Sequence, residues 1–229
     1  MLCDARAPQD DGERLSRAAG TQCGAALTDF TLQQIILRSC AVVLIMGVHG
    51  LVVAAAACAL GDPGPRYDER LKLNPLAHID LIGLVSGVLF SVGWIKPIAI
   101  DAGVLRRGRV GLVVVVAAAA VGVPILIMAL QLVRPLVLPL LDDTTSTLIF
   151  ALIETIGQLG IWFALVNLLP FPPFTGSHLL AALVPKTGEP MRRLHIYFAL
   201  LLAAIAATGV ITRALEPAYR MVADLVLRN

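Results

Sequence analysis

Apolar residues along this chain gather into long runs, with the polar residues set between them. The run from Ala41 to Leu60, AVVLIMGVHGLVVAAAACAL, has twenty residues, and apart from two thiols its only ionisable side chain is His49. At 1.5 Å per residue such a helix is about 30 Å long, the thickness of a bilayer's hydrocarbon core. Thr31 with Gln34 predicts a capping box that opens this helix. A second run, Leu81–Ile95, has only fifteen residues, so it either spans with help from neighbours or re-enters. The third, Val110–Val133, has only Gln131 as a polar residue and is bounded by Pro135 and Pro139. The fourth, Thr147–Leu169, contains Glu154 and Gln158, and the fifth, Ile196–Thr212, is bracketed by Arg192, Arg193 and Arg213. The pattern predicts an all-α polytopic membrane protein of about five transmembrane helices.

Polar stretches complete the layout. Residues 1–30 read as a polar arm without the apolar core of a signal peptide. GDPGPRYDERLKLNPLAHID, after Leu60, is punctuated by Gly, Pro and Asp and reads as a loop. Within it Arg70-Leu71-Lys72-Leu73 alternates, which predicts a short strand in a β-hairpin-like loop. Residues 31–214 form the transmembrane domain, and 215–229 an amphipathic tail with Arg220, Asp224 and Arg228 on one face.

Composition agrees with the pattern. Hydrophobic residues make up 58% of the chain and the mean hydropathy is +0.83, too high for a soluble domain. The net charge of +2 gives no reason to expect a nucleic-acid partner. With five spans, the side of the N-terminal arm carries ten loop cations against seven on the other, a slight bias toward a cytoplasmic N-terminus. Cys40 and Cys58 lie five turns apart on one helix, about 27 Å, so they cannot bridge.

Two features carry candidate chemistry, and two more read as structural. A histidine inside a span marks a functional position, and His49 stands where an HExxH zinc motif would begin. Gly50 and Val53 occupy the places of its Glu and second His. Glu154 and Gln158, one turn apart, offer an intramembrane carboxyl, read as a neutral hydrogen-bond partner or, alternatively, as a relay. Trp94 reads as an interface anchor, and the small residues Ala54–Ala59 as a close-packing surface.

Four ordered segments resemble the site-2 protease family of intramembrane zinc metalloproteases. His49 to Gly61-Asp62 keeps that family's spacing from HExxH to a GD pair. Arg70–Asp80, RLKLNPLAHID with Asn74, Pro75, His78 and Asp80, is similar to its GRLTLNPxxHID segment. Gly93–Asp101, GWIKPIAID with Trp94, Lys96 and Pro97, resembles GWAKPVPVN. Asn167–His178, NLLPFPPFTGSH with Pro170, Pro172, Pro173 and Gly176, resembles NLLPIPPLDG. The likeness covers roughly residues 40 to 180.

The resemblance implies a metal site inside a helical bundle, held by two motif histidines and an Asp, with the motif Glu as base. In this chain His49 alone is kept, because Gly50, Val53 and Thr175 stand at the other three positions, and the family's GPxxN segment has no counterpart. One imidazole does not hold a catalytic zinc, which takes three protein ligands and a water. His178, three residues past Thr175, is a second imidazole for loose ligation. The expectation is a catalytically inactive family member without a cofactor, resident in a bacterial inner membrane. It would act as a scaffold or as a subunit that binds transmembrane helices of other proteins. The alternatives are an active zinc protease with substituted ligands and a small transporter-like protein using Glu154.

Overall fold

The computed structural model describes residues 31–72, 74–184 and 195–227. Helix α1, Leu32–Ala59, opens with the predicted capping box, in which Thr31 and Gln34 each accept from the other's backbone N–H. α2 is Leu81–Phe90, α3 Arg109–Val137, α4 Asp143–Val166, α5 Ser177–Leu183, α6 His195–Ala207 and α7 Val210–Val226. Among the described residues, three helices are long and apolar enough to cross a membrane: α1, α3 with the 3-10 turn that extends it to Leu140, and α4. α6 and α7 meet at 74°, and counted as one broken span they bring the total to four.

The expected five spans are therefore not found. The apolar run 81–95 yields only the ten-residue α2, too short to cross, because Ser91 turns into the left-handed region (φ 61°) and ends the helix. Arg38, on α1, donates to Val88 O and to Ser91 Oγ at this terminus, a cation where the helix dipole favours one. The second difference is the β-hairpin-like loop. Residues 68–72 form turns, Leu73 lies outside the described residues, and the only pairing among the described residues is an isolated antiparallel bridge, Ile79 to Ile95. Pro63 and Pro65 start a one-turn helix at Gly64–Tyr67, which sets the loop into turns before any strand alternation takes hold. Pro135 does not end α3. Both Pro124 and Pro135 sit inside it, as membrane helices tolerate.

The N-terminal arm lies outside the described residues. In the C-terminal tail, residues 215–226 belong to α7, with Pro217 within it. α1 packs against α3 and α4, which pack on each other, while α2 packs against α6, and α7 against α4. The main core is built from Ile45, Met46, Val53, Val115, Val123 and Phe163, among others. A second cluster forms around Trp94 and Phe174. Trp94 is fully buried, its ring edge-on to Phe174 at 6.0 Å, so it packs inside the molecule and does not anchor an interface.

Candidate functional site around His49

The loops that matter are fastened by backbone-directed polar groups. Asp62, buried, accepts from Gly64 N through Oδ1 and from Asp101 N through Oδ2, tying the end of α1 to the segment after Trp94. Gly61 there holds φ 107°, a conformation suited to glycine. Asn74 caps a 3-10 turn, Pro75–Ala77, by accepting from Leu76 N, and Asp80 caps α2 by accepting from Gly83 N. Lys96 N donates to His78 O, and Lys96 and Pro97 are exposed. Asn167 donates through Nδ2 to Gly93 O and Phe163 O, while its main-chain carbonyl accepts from Gly176 N at 2.7 Å. Pro172 and Pro173 are buried and Pro170 is exposed. Residues far apart in sequence thus converge beside α1.

At the centre lies one contact across 126 positions. His49 Nε2 and Thr175 Oγ1 are 2.9 Å apart, both residues buried. The partner that the structure supplies for Nε2 is thus a hydroxyl. The Ala119 carbonyl of α3 lies near the ring, although Nδ1 makes no hydrogen bond among the described residues. Phe163 packs edge-on to the imidazole, centroids 5.1 Å apart. Val53, one turn on from His49, shares with Thr175, His178, Pro97 and Pro173 a cavity of about 50 Å³. His49, Thr175, Val53 and His178 therefore gather at one place. Glu154 and Gln158 lie apart from it.

The residues present do not fit a catalytic zinc. Val53 and Gly50 carry no donor atom, Thr175 offers a neutral hydroxyl already engaged by His49, and among the described residues no three His, Cys, Asp or Glu side chains come together. His178 sits at the chamber wall in α5, outside the spanning helices. Burial pushes its imidazole down to about 4, so it is neutral in the folded protein at neutral pH.

That depression has a consequence for stability. Above pH 6.5 the ring is neutral whether the chain is folded or not. Between pH 6.5 and about 4 only the unfolded chain takes the proton, so stability falls as pH drops. The loss should approach about 3 kcal/mol at the low end, since each pK unit corresponds to about 1.4 kcal/mol. Melting of the purified protein in detergent at pH 7.5 and 4.5 checks this. His178→Gln should remove much of the difference, and an unchanged difference would assign it to other groups.

His78 holds a place that its motif did not foretell. It is fully buried, and neither ring nitrogen makes a hydrogen bond among the described residues. Burial and the neighbouring Arg70 charge keep its imidazole below the usual range. Arg70 itself donates to Ala77 O, which holds the loop that carries His78. The ring rests on α1 at Gly50, where a Cβ would lie 2.2 Å from Nδ1 and 2.9 Å from the His78 Cβ. A glycine at 50 is thus required by His78. The signal was legible only as a small residue opposite a motif histidine, which sequence alone does not bring together.

Glu154 also differs from expectation. It is not a lone carboxyl: Arg134 Nη1 lies 2.8 Å from Oε1, and Arg134 is further held by Gln131 and stacked 4.7 Å over Phe150. Arg134 is twenty residues away on the preceding helix, and the short α3–α4 connection brings the two together. Gln158 is exposed.

Fold and site together define an integral-membrane helical protein with a polar contact buried between α1 and the 167–178 segment. One curated relative carries that description further. The chain is 28% identical over 145 residues to the Bacillus subtilis (strain 168) protein named "Putative zinc metalloprotease YwhC". The match takes in 60% of this chain and 64% of that protein, so the chain spans less than two thirds of its relative's length. No family model matches the chain. No solved structure matches it either.

Proposed function

We propose that this chain is a site-2-protease-like membrane protein without catalytic activity, acting as a scaffold or as a subunit that binds transmembrane helices of other membrane proteins. The relationship is supported by the metalloprotease relative and by the convergence of the four motif segments on α1. One observation carries the inactive reading: the Nε2 of His49, the one retained imidazole of the motif, is engaged by the Thr175 hydroxyl, with Val53 and Gly50 on its flanks. Without a metal, water stays far above the pKa of about 7 that zinc confers. Loss of the carboxylate base removes roughly 10²–10⁴-fold more. The transporter alternative uses Glu154, whose carboxylate has a guanidinium partner in Arg134. We place the protein in a bacterial cytoplasmic membrane.

Elemental analysis of protein purified without chelators tests the inactive reading. No stoichiometric zinc is expected, and about one zinc per chain would overturn it. The scaffold role is tested separately, by photocrosslinking from the lipid-facing side of α1 in native membranes. A partner transmembrane segment should be captured, and a chain that crosslinks to lipid alone would refute it.

A further inference from the structure

α7 packs on the bundle through one side only. Leu215, Tyr219, Val222 and Val226 face inward, with the Tyr219 ring stacked 4.4 Å from Trp162 of α4 and Leu227 against Gly157. The opposite side is an exposed apolar stripe, Val210, Ala214, Pro217, Met221 and Leu225, recurring every three or four residues. Met221 is 71% and Leu225 76% exposed, so no element among the described residues covers the stripe. Along one flank of it run Arg213, Glu216, Arg220 and Asp224, in which cation and acid alternate. Arg220 Nε donates to Glu216 within the helix at 2.9 Å.

We infer that α7 pairs antiparallel with α7 of a second copy of this chain, about a two-fold axis near residue 218. The apolar stripe by itself suits lipid equally well, and it is the order of the charges that selects the partner. Arg213 lies five residues before that centre and Asp224 six after it, while Glu216 lies two before and Arg220 two after. An antiparallel copy therefore sets Arg213 opposite Asp224 and Glu216 opposite Arg220, each pair made twice. A parallel copy would set every charge against its like. The stripe obeys the same centre. Val210, eight residues before, meets Leu225, seven after; Ala214, four before, meets Met221, three after; and Pro217 lies beside the axis. Across such a two-fold, each flank of the stripe meets the same flank of the other copy, so the charged rows face each other and the apolar residues close the seam. Ala214 and Pro217, short side chains at the centre, let the two helices approach closely. Copies inserted in the same sense are related by an axis along the membrane normal, so the pair needs α7 near the membrane plane. The 74° bend at Gly209 keeps α7 from running on as a continuation of α6. The pairing stands whether or not the chain is inactive.

Disulfide formation tests the register in the full-length chain. Cys3, Cys23, Cys40 and Cys58 are changed to Ala, and Ala214→Cys and Met221→Cys are introduced singly and together. Both positions are exposed, so the substitutions leave the core intact. Membrane vesicles are oxidised with copper phenanthroline, and covalent dimer is followed with time. In the antiparallel pair, residue 214 of one copy and residue 221 of the other are offset by about 1.5 Å along the axis, whereas like positions are offset by about 9–12 Å. The latter is beyond the reach of a disulfide, as are positions 214 and 221 of one helix, about 10 Å apart. The double variant should therefore dimerise at least tenfold faster than either single variant. No covalent dimer from the double variant would overturn the pairing. So would a single variant that dimerises as fast as the double one, the result of a parallel pair or of random collision.

Discussion

Gly176→Ala should destabilise the protein by more than about 3 kcal/mol, although it adds one methyl group. The reason is backbone, not conformational freedom, because φ at Gly176 is an ordinary −58°. A Cβ there would lie 2.4 Å from Leu169 O and 2.5 Å from Leu168 O. Neither carbonyl can swing aside as a flexible side chain does. The turn must open, and three contacts are made through it: Gly176 N to Asn167 O, Thr175 Oγ1 to His49 Nε2, and Phe174 against Trp94. Overpacking of a tight interior commonly costs 1–3 kcal/mol, and each buried hydrogen bond lost adds about 0.5–1.5 kcal/mol. Thermal melting of the purified protein provides the measurement. Thr175→Ser keeps the hydroxyl and should stay within about 1 kcal/mol of the parent, so it separates the turn from the contact it carries. If Gly176→Ala melts with the parent, the 167–176 turn is not packed as described.

The convergence of these segments was legible in the sequence only through the order of the motifs. Asp62, Asn74, Asp80 and Asn167 are short polar side chains beside turns, where such residues bond backbone groups, and each does so here. Thr175 could be aligned with His49 before any geometry was known, and the two are in hydrogen-bond contact. What failed follows from the limits of one-dimensional pattern. Hydropathy reads 81–95 as one run, because an apolar residue scores alike in a helix and in the extended segment after Ser91. Trp94 at the end of that run has the sequence position of an interface anchor, and only its burial against Phe174 tells otherwise. The fifth run likewise hides a bend: Gly209 takes φ 70° between α6 and α7 within continuous apolar sequence. The contacts made by Arg134 and His78 were not legible, for a shared reason. Each meets its neighbour, Glu154 or Gly50, across a connection whose path the sequence does not specify.

The contact of the His78 ring with Gly50 alters what rebuilding a metal site would require. Gly50→Glu, Val53→His and Thr175→Asp restore the ligand and base types that the resemblance implies, yet the structure predicts that this triple variant will fail. A glutamate at 50 would put its Cβ inside the His78 ring. With His78→Gly added, the ring and the Cβ that would lie 2.9 Å away are both gone, and the fourfold variant should bind about one zinc per chain. Residues 49 and 53 are one turn apart on α1, so imidazoles at both can converge on one ion. An Asp at 175 starts where Oγ1 already lies 2.9 Å from His49 Nε2, and Val53 and Thr175 line one cavity, so all three donors face the same space. Metal content of the fourfold variant, of the triple variant, and of the fourfold variant with Thr175 left alone gives the answer. Zinc in the first and in neither of the others would support both the long-range contact at 175 and the steric block at 78. Zinc in the triple variant at the same stoichiometry would show that His78 yields to a side chain at 50. Zinc in none of them, with all three folded, would mean that the donors at 49, 53 and 175 do not reach the geometry an ion needs, despite their common cavity. Recovered proteolysis is not required for any of these outcomes, because it also needs a water path and the outer-shell groups that orient each ligand.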